Sequence, residues 1–137
     1  EVDCSFRKAE ELLGQIPSEI KMILVDFHAE TTSEKKARGW YLDGRVSAVA
    51  GTHTHVQTND AQILPAGCGY ISDLGMCWVE RSVLGLDPAT IVKRFVTRLP
   101  GKFKLADGPL WMCGAVFDID EATGRCVGAE IVRLPGK

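Results

Sequence analysis

The sequence has no run approaching the roughly 20 consecutive apolar residues of a helical membrane span, so that class of membrane protein is excluded. No cationic leader precedes an apolar segment near the start, and a retained signal peptide is not expected. Neither sign of charge is in excess. Sixteen Lys and Arg against 18 Asp and Glu leave a net charge of −2, which provides no bulk grip on nucleic acid and no cationic face for a membrane surface. The cysteines (Cys4, Cys68, Cys77, Cys113 and Cys126) are odd in number, widely spaced and without a C-x-x-C pair. That usage fits reduced, partly buried thiols in a cytoplasmic protein better than a disulfide framework or a zinc knuckle. The G-x-S-x-G elbow, the phosphate-cradling P-loop and the dinucleotide G-x-G-x-x-G are all missing, and no cation flanks Cys68 or Cys77 to favour a thiolate. An initiating Met is absent too: the chain opens at Glu1 inside a polar stretch and is expected to be part of a longer polypeptide.

What is present is an ordinary globular mixture, 45% apolar and 25% charged over 137 residues, the size of one domain. Ser5 is placed to cap a short helix whose Phe6, Ala9, Leu12 and Leu13 share a face, and Pro17 discourages its continuation. Met22 to Val25, extended by Phe27, reads as a strand covered on both sides. Thr31 and Glu34 have the capping-box spacing for a helix over about 33–43, with Ala37, Trp40 and Tyr41 as its apolar stripe and Gly44 at its end. Val46 to Ala50 gives a second strand, so strand, helix and strand form a βαβ unit with parallel strands. Residues 62–64 and 69–72 read as short strands around the Pro65-Ala66-Gly67 turn. Asp87-Pro88 opens a helix with Ile91, Val92, Phe95 and Val96 inside. Residues 110–119 and 126–132 make a terminal hairpin around the turn 120–124.

Only three histidines occur, and each follows a strand. His28 ends the first, and His53 and His55 come just after the second, where ligands gather at the carboxyl ends of parallel strands. If the extended path continues, His53 and His55 share a face about 6.6 Å apart along the chain. Imidazoles at that spacing can converge on one ion or serve two, with His28 as a third ligand. Neutral imidazole suits zinc, iron or manganese. Asp26 shares its strand face with His28, either as an outer partner for an imidazole N–H or as a paired carboxylate. Glu30, Glu34, Lys35 and Lys36 read as solvated charges at a helix start. Three neutral ligands do not balance two divalent ions, so a dinuclear site needs acidic residues from elsewhere. A mononuclear three-histidine site is complete as it stands.

The segments Asp26-Phe27-His28-Ala29-Glu30, Thr32-Ser33-Glu34-Lys35-Lys36 and Gly39-Trp40-Tyr41-Leu42-Asp43-Gly44-Arg45 resemble the YmdB-like metallophosphoesterases, a bacterial branch of the calcineurin-like superfamily. The likeness runs on through Gly51-Thr52-His53-Thr54-His55-Val56-Gln57-Thr58 and Tyr70-Ile71-Ser72-Asp73-Leu74-Gly75-Met76 to Arg94-Phe95 and Asp118-Ile119-Asp120. It covers the carboxyl-terminal half of the family's single domain. The Cys77-Trp78 pair and Cys113-Gly114 depart from the family pattern.

The resemblance implies part of an α/β fold, an αββα two-sheet sandwich holding two divalent ions, iron or manganese. It also implies hydrolysis of phosphodiesters such as 2′,3′-cyclic nucleotides by a metal-activated water. By motif, His28 and His53 would serve one metal and His55 its neighbour. The bridging carboxylate and the general-acid His would lie in the amino-terminal half, the partner this chain lacks. The chain alone would hold one ion or none. Two rival readings are a metal-binding or oligomerisation half-domain without catalysis, partnered by a further copy of itself, and a mononuclear three-histidine hydrolase.

Overall fold

The computed structural model describes residues 3–136. In chain order the elements are α1 (Ser5–Leu13), β1 (Leu24–His28), α2 (Thr32–Leu42), β2 (Ala48–Thr52), β3 (Gln62–Ile63), β4 (Gly69–Ile71), β5 (Trp78–Val79), α3 (Pro88–Thr97), β6 (Leu110–Ile119) and β7 (Cys126–Pro135). They form two sheets. The first has the order β1-β2-β4-β3, with β1, β2 and β4 parallel and β3 antiparallel at the edge. The second is an antiparallel β5-β6-β7 sheet. The βαβ unit and the hairpin are as expected. The two-residue β5 was not: it exists only through its pairing with β6, which brings Trp78 opposite Trp111.

The core of the first sheet is Leu42, Val46, Val49, Leu64, Cys68 and Tyr70, with Ala9, Leu13, Ile23, Val25 and Phe27 packed against it. The sheets meet at Gly69. A Cβ there would lie 2.6 Å from the Phe117 ring and 2.8 Å from the Cys126 sulfur, so only glycine allows this approach. Gln57 joins them again, its side-chain NH2 donating to the carbonyls of Gly114 on β6 (2.8 Å) and Val132 on β7 (2.9 Å).

Several expectations change. β1 is not covered on both sides: Val25 and Phe27 face the core, while Leu24, Asp26 and His28 lie on an open face. The anticipated stripe of α2 points outward, with Trp40 60% exposed, and the inward face carries Lys35, Arg38, Gly39 and Leu42. Two causes combine. Gly39 lets the helix press onto the Tyr70 ring, which a Cβ would approach to 2.5 Å. The two cations also find partners, Lys35 in the buried Asp73 and Arg38 in two half-buried rings, its guanidinium lying 4.1 Å from the Phe6 ring centroid and 4.5 Å from that of Phe27.

Ser5 is the first helical residue rather than the cap, a position held by Cys4. Its hydroxyl donates to Glu34, and no capping bond is made from the Thr31 side chain. On α3, Asp87 does accept from the Thr90 N–H at 2.8 Å, but only Ile91 is buried, and Val92, Phe95 and Val96 are exposed among the described residues. All five cysteines are free, Cys68 and Cys126 buried. No helix among the described residues is long and apolar enough to cross a membrane.

Candidate metal centre

Parallel pairing of β1 with β2 sets His28 directly opposite Thr52, so the residue after Thr52 emerges beside the His28 ring. There His28 and His53 meet edge to face with ring centroids 4.8 Å apart, and His28 Nε2 lies 2.9 Å from His53 Nδ1. The remaining ring nitrogens are engaged on the far side. Thr52 Oγ1 donates to Asp26 Oδ1 at 2.9 Å, which leaves the hydroxyl oxygen to accept from His28 Nδ1–H at 3.1 Å. The Glu30 carboxylate, acceptor only, takes His53 Nε2–H.

With both outer nitrogens protonated, the two that face each other carry lone pairs unless one ring gains an extra proton. Two opposed lone pairs repel, and a cation between them removes the conflict. Nitrogens about 2.0–2.1 Å from one ion, at right angles, lie about 2.9 Å apart. The donor set therefore fits two adjacent positions of a six-coordinate divalent ion, with outer partners of the kind that fix imidazole tautomers in metal sites. Asp26 reaches His28 only through the Thr52 hydroxyl.

His55 does not join this contact. The extended path stops at Thr52, because His53 has φ 124° and His55 φ 64°, both in the region that side chains rarely occupy. His55 is exposed. Among the described residues no group of three or more His, Cys, Asp or Glu side chains is placed to hold an ion.

The turn is held from beneath. Asp73 Oδ2 accepts the Thr54 N–H at 2.9 Å and the Lys35 ammonium at 2.7 Å, and Oδ1 accepts the Gly75 N–H at 2.9 Å. Lys35 is 2% exposed and Asp73 1%, so this pair is sealed from water. Burial pushes the Asp73 carboxyl up, but the bonds from Lys35, Thr54 and Gly75 outweigh it and hold the group below its ordinary value. Nearby, Asp60 accepts from the Ser72 hydroxyl, the Ser72 N–H and the Thr58 hydroxyl, and it too is held low against its burial.

Lys35 is thus not the solvated charge its position after Thr31 suggested, whereas Glu30 is solvated as expected, 84% exposed, and accepts from His53 as well. Thr52 and Asp73 were not singled out at all. Thr52 carried a signal in its place between a buried strand and His53. Asp73 carried none, since its role depends on Lys35, 38 residues away.

A family model described as YmdB-like protein matches residues 1–132. The chain is 51% identical over 133 residues to a Bacillus subtilis protein named 2′,3′-cyclic-nucleotide 2′-phosphodiesterase, a match covering 97% of this chain and 50% of that one. Among solved structures, a hypothetical protein from Thermus thermophilus superposes with a TM-score of 0.88 at 38% identity, over 100% of this chain and 53% of that one. A protein described as a novel phosphatase from Mycoplasma pneumoniae superposes with a TM-score of 0.89 at 34% identity, over 98% and 48%. The chain spans about half the length of the relatives it matches.

Proposed function

Because the chain belongs to the YmdB-like family, we propose that it is the carboxyl-terminal half of a metal-dependent phosphodiesterase domain acting on 2′,3′-cyclic nucleotides or similar small phosphodiesters. In this reading His28 Nε2 and His53 Nδ1 bind one divalent ion, iron or manganese, and His55 binds a second. The amino-terminal half supplies the anionic ligands and the general acid. When bound, the ions polarise the phosphoryl group and activate the attacking water.

The chain's own residues act as positioned donors. Asp26, through Thr52, holds His28 in the tautomer whose free nitrogen faces inward, and Glu30 does the same for His53. The observation that carries this reading is the opposed pair of imidazole nitrogens, each with its outer N–H committed to an acceptor.

The test is turnover of a 2′,3′-cyclic nucleotide by the full-length polypeptide carrying this chain, loaded with manganese or iron. His28→Ala, His53→Ala and His55→Ala should each abolish it, the first two together with tight binding of one metal equivalent. Undiminished turnover in all three would refute the assignment.

A further inference from the structure

We propose that the buried Lys35–Asp73 pair is a positioning device for the His53-Thr54-His55 turn, an inference that rests on the metal-site reading above. Thr54 sits between two residues held at positive φ, and its N–H is bonded to Asp73 Oδ2. Strained backbone of this kind persists only where its surroundings over-determine it. Asp73 supplies that constraint at three points. Its carboxylate takes the Thr54 N–H, its carbonyl takes the Thr58 N–H at 3.0 Å, and its own N–H donates to Thr58 Oγ1 at 2.9 Å. Lys35 completes the clamp by fixing the carboxylate's orientation, its ammonium 2.7 Å from Oδ2.

The approach of Lys35 is itself provided for. A Cβ at Gly51 would lie 3.2 Å from Lys35 Cδ and 1.8 Å from the Ser72 carbonyl oxygen, so glycine at this place on β2 opens the lysine's path. A buried ion pair is a weak source of stability, because desolvation consumes much of its attraction. Its value here lies in orientation: α2 passes through Lys35 to Asp73, and Asp73 to the peptide between the two histidines. Neither side chain hydrogen-bonds to a histidine ring, so both are positioning residues.

Two variants of the full-length protein test this. Lys35→Met combined with Asp73→Asn removes both charges and leaves no orphan ion in the core. Thr54→Pro replaces the single N–H by a ring carbon that Asp73 Oδ2 must yield to, so it breaks the link from the turn's side. In the metal-free protein, histidine ring NMR signals of His53 and His55 should move and broaden in both variants, with cooperative unfolding retained. Manganese affinity by calorimetry should fall about 10–100-fold, the range for lost outer partners of a metal site. In turnover, kcat should fall with KM little changed.

Unmoved His53 and His55 signals in a folded variant would overturn the proposal. So would wild-type manganese affinity in both. Failure of the wild-type protein to bind manganese would instead overturn the metal reading, with the metal-free NMR still deciding whether the turn is held.

Discussion

Thr52 is the smallest group in the centre with a specific task, since one hydroxyl joins a carboxylate to an imidazole. Thr52→Val keeps the shape and β propensity but leaves His28 Nδ1–H without its acceptor. Manganese binding should weaken about 10–100-fold with the fold intact, checked by calorimetry and circular dichroism. Gly51→Ala should do the reverse, damaging the fold first. Its Cβ would fall 1.8 Å from a backbone oxygen, and the loss should reach about 1–3 kcal/mol or more in denaturant unfolding.

The pH dependence follows from Asp60. Its folded pKa lies below the usual 3.8, so its bonds add stability above that value and lose it as pH falls through the lowered one. Asp60→Asn should flatten that acid limb in thermal melts taken across it. At this scale the sequence was legible where a residue's task is local: Asp26 and His28 on one face, Asp87 as a cap. Lys35, Asp73 and Glu30 were not, because each depends on a partner that only the folded chain supplies.

α1 is held to the rest by the packing of Ala9 and Leu13 and by polar contacts that titrate. Glu10 accepts from both Arg45 terminal nitrogens, one at 2.8 Å, and from Tyr41, which together draw its carboxyl down from 4.5 to about 2. A depressed carboxylate lends its stabilisation above the unfolded value and loses it as pH falls toward the folded one. α1 should therefore loosen between about pH 4.5 and 2, seen as lower amide protection factors at Ala9 and Leu13. Among the elements, β1, β2, α3's start and the hairpin could be read from patterning and turn residues. The faces of α2 and α3 could not. Hydrophobic spacing identifies a stripe but does not say whether a neighbouring layer covers it. In α2, a glycine contact and two partnered cations outweighed the stripe.

Across the molecule, burial sorts the five thiols. Cys68, pushed to about 12 chiefly by burial, should stay unlabelled by a thiol reagent until unfolding, whereas the exposed Cys4 and Cys77 should react at once. Mass spectrometry of labelled peptides distinguishes them.

The two sheets share one further piece of hardware, the Gln57 amide, which spends both of its hydrogens on facing carbonyls of adjacent strands. Gly114 and Val132 are register partners, so a single side chain gauges the alignment of β6 against β7. A slip of either strand by one residue would carry one of those carbonyls out of reach. Gln57 lies two residues beyond His55, so the distant hairpin acts as a vernier against which the histidine turn is set.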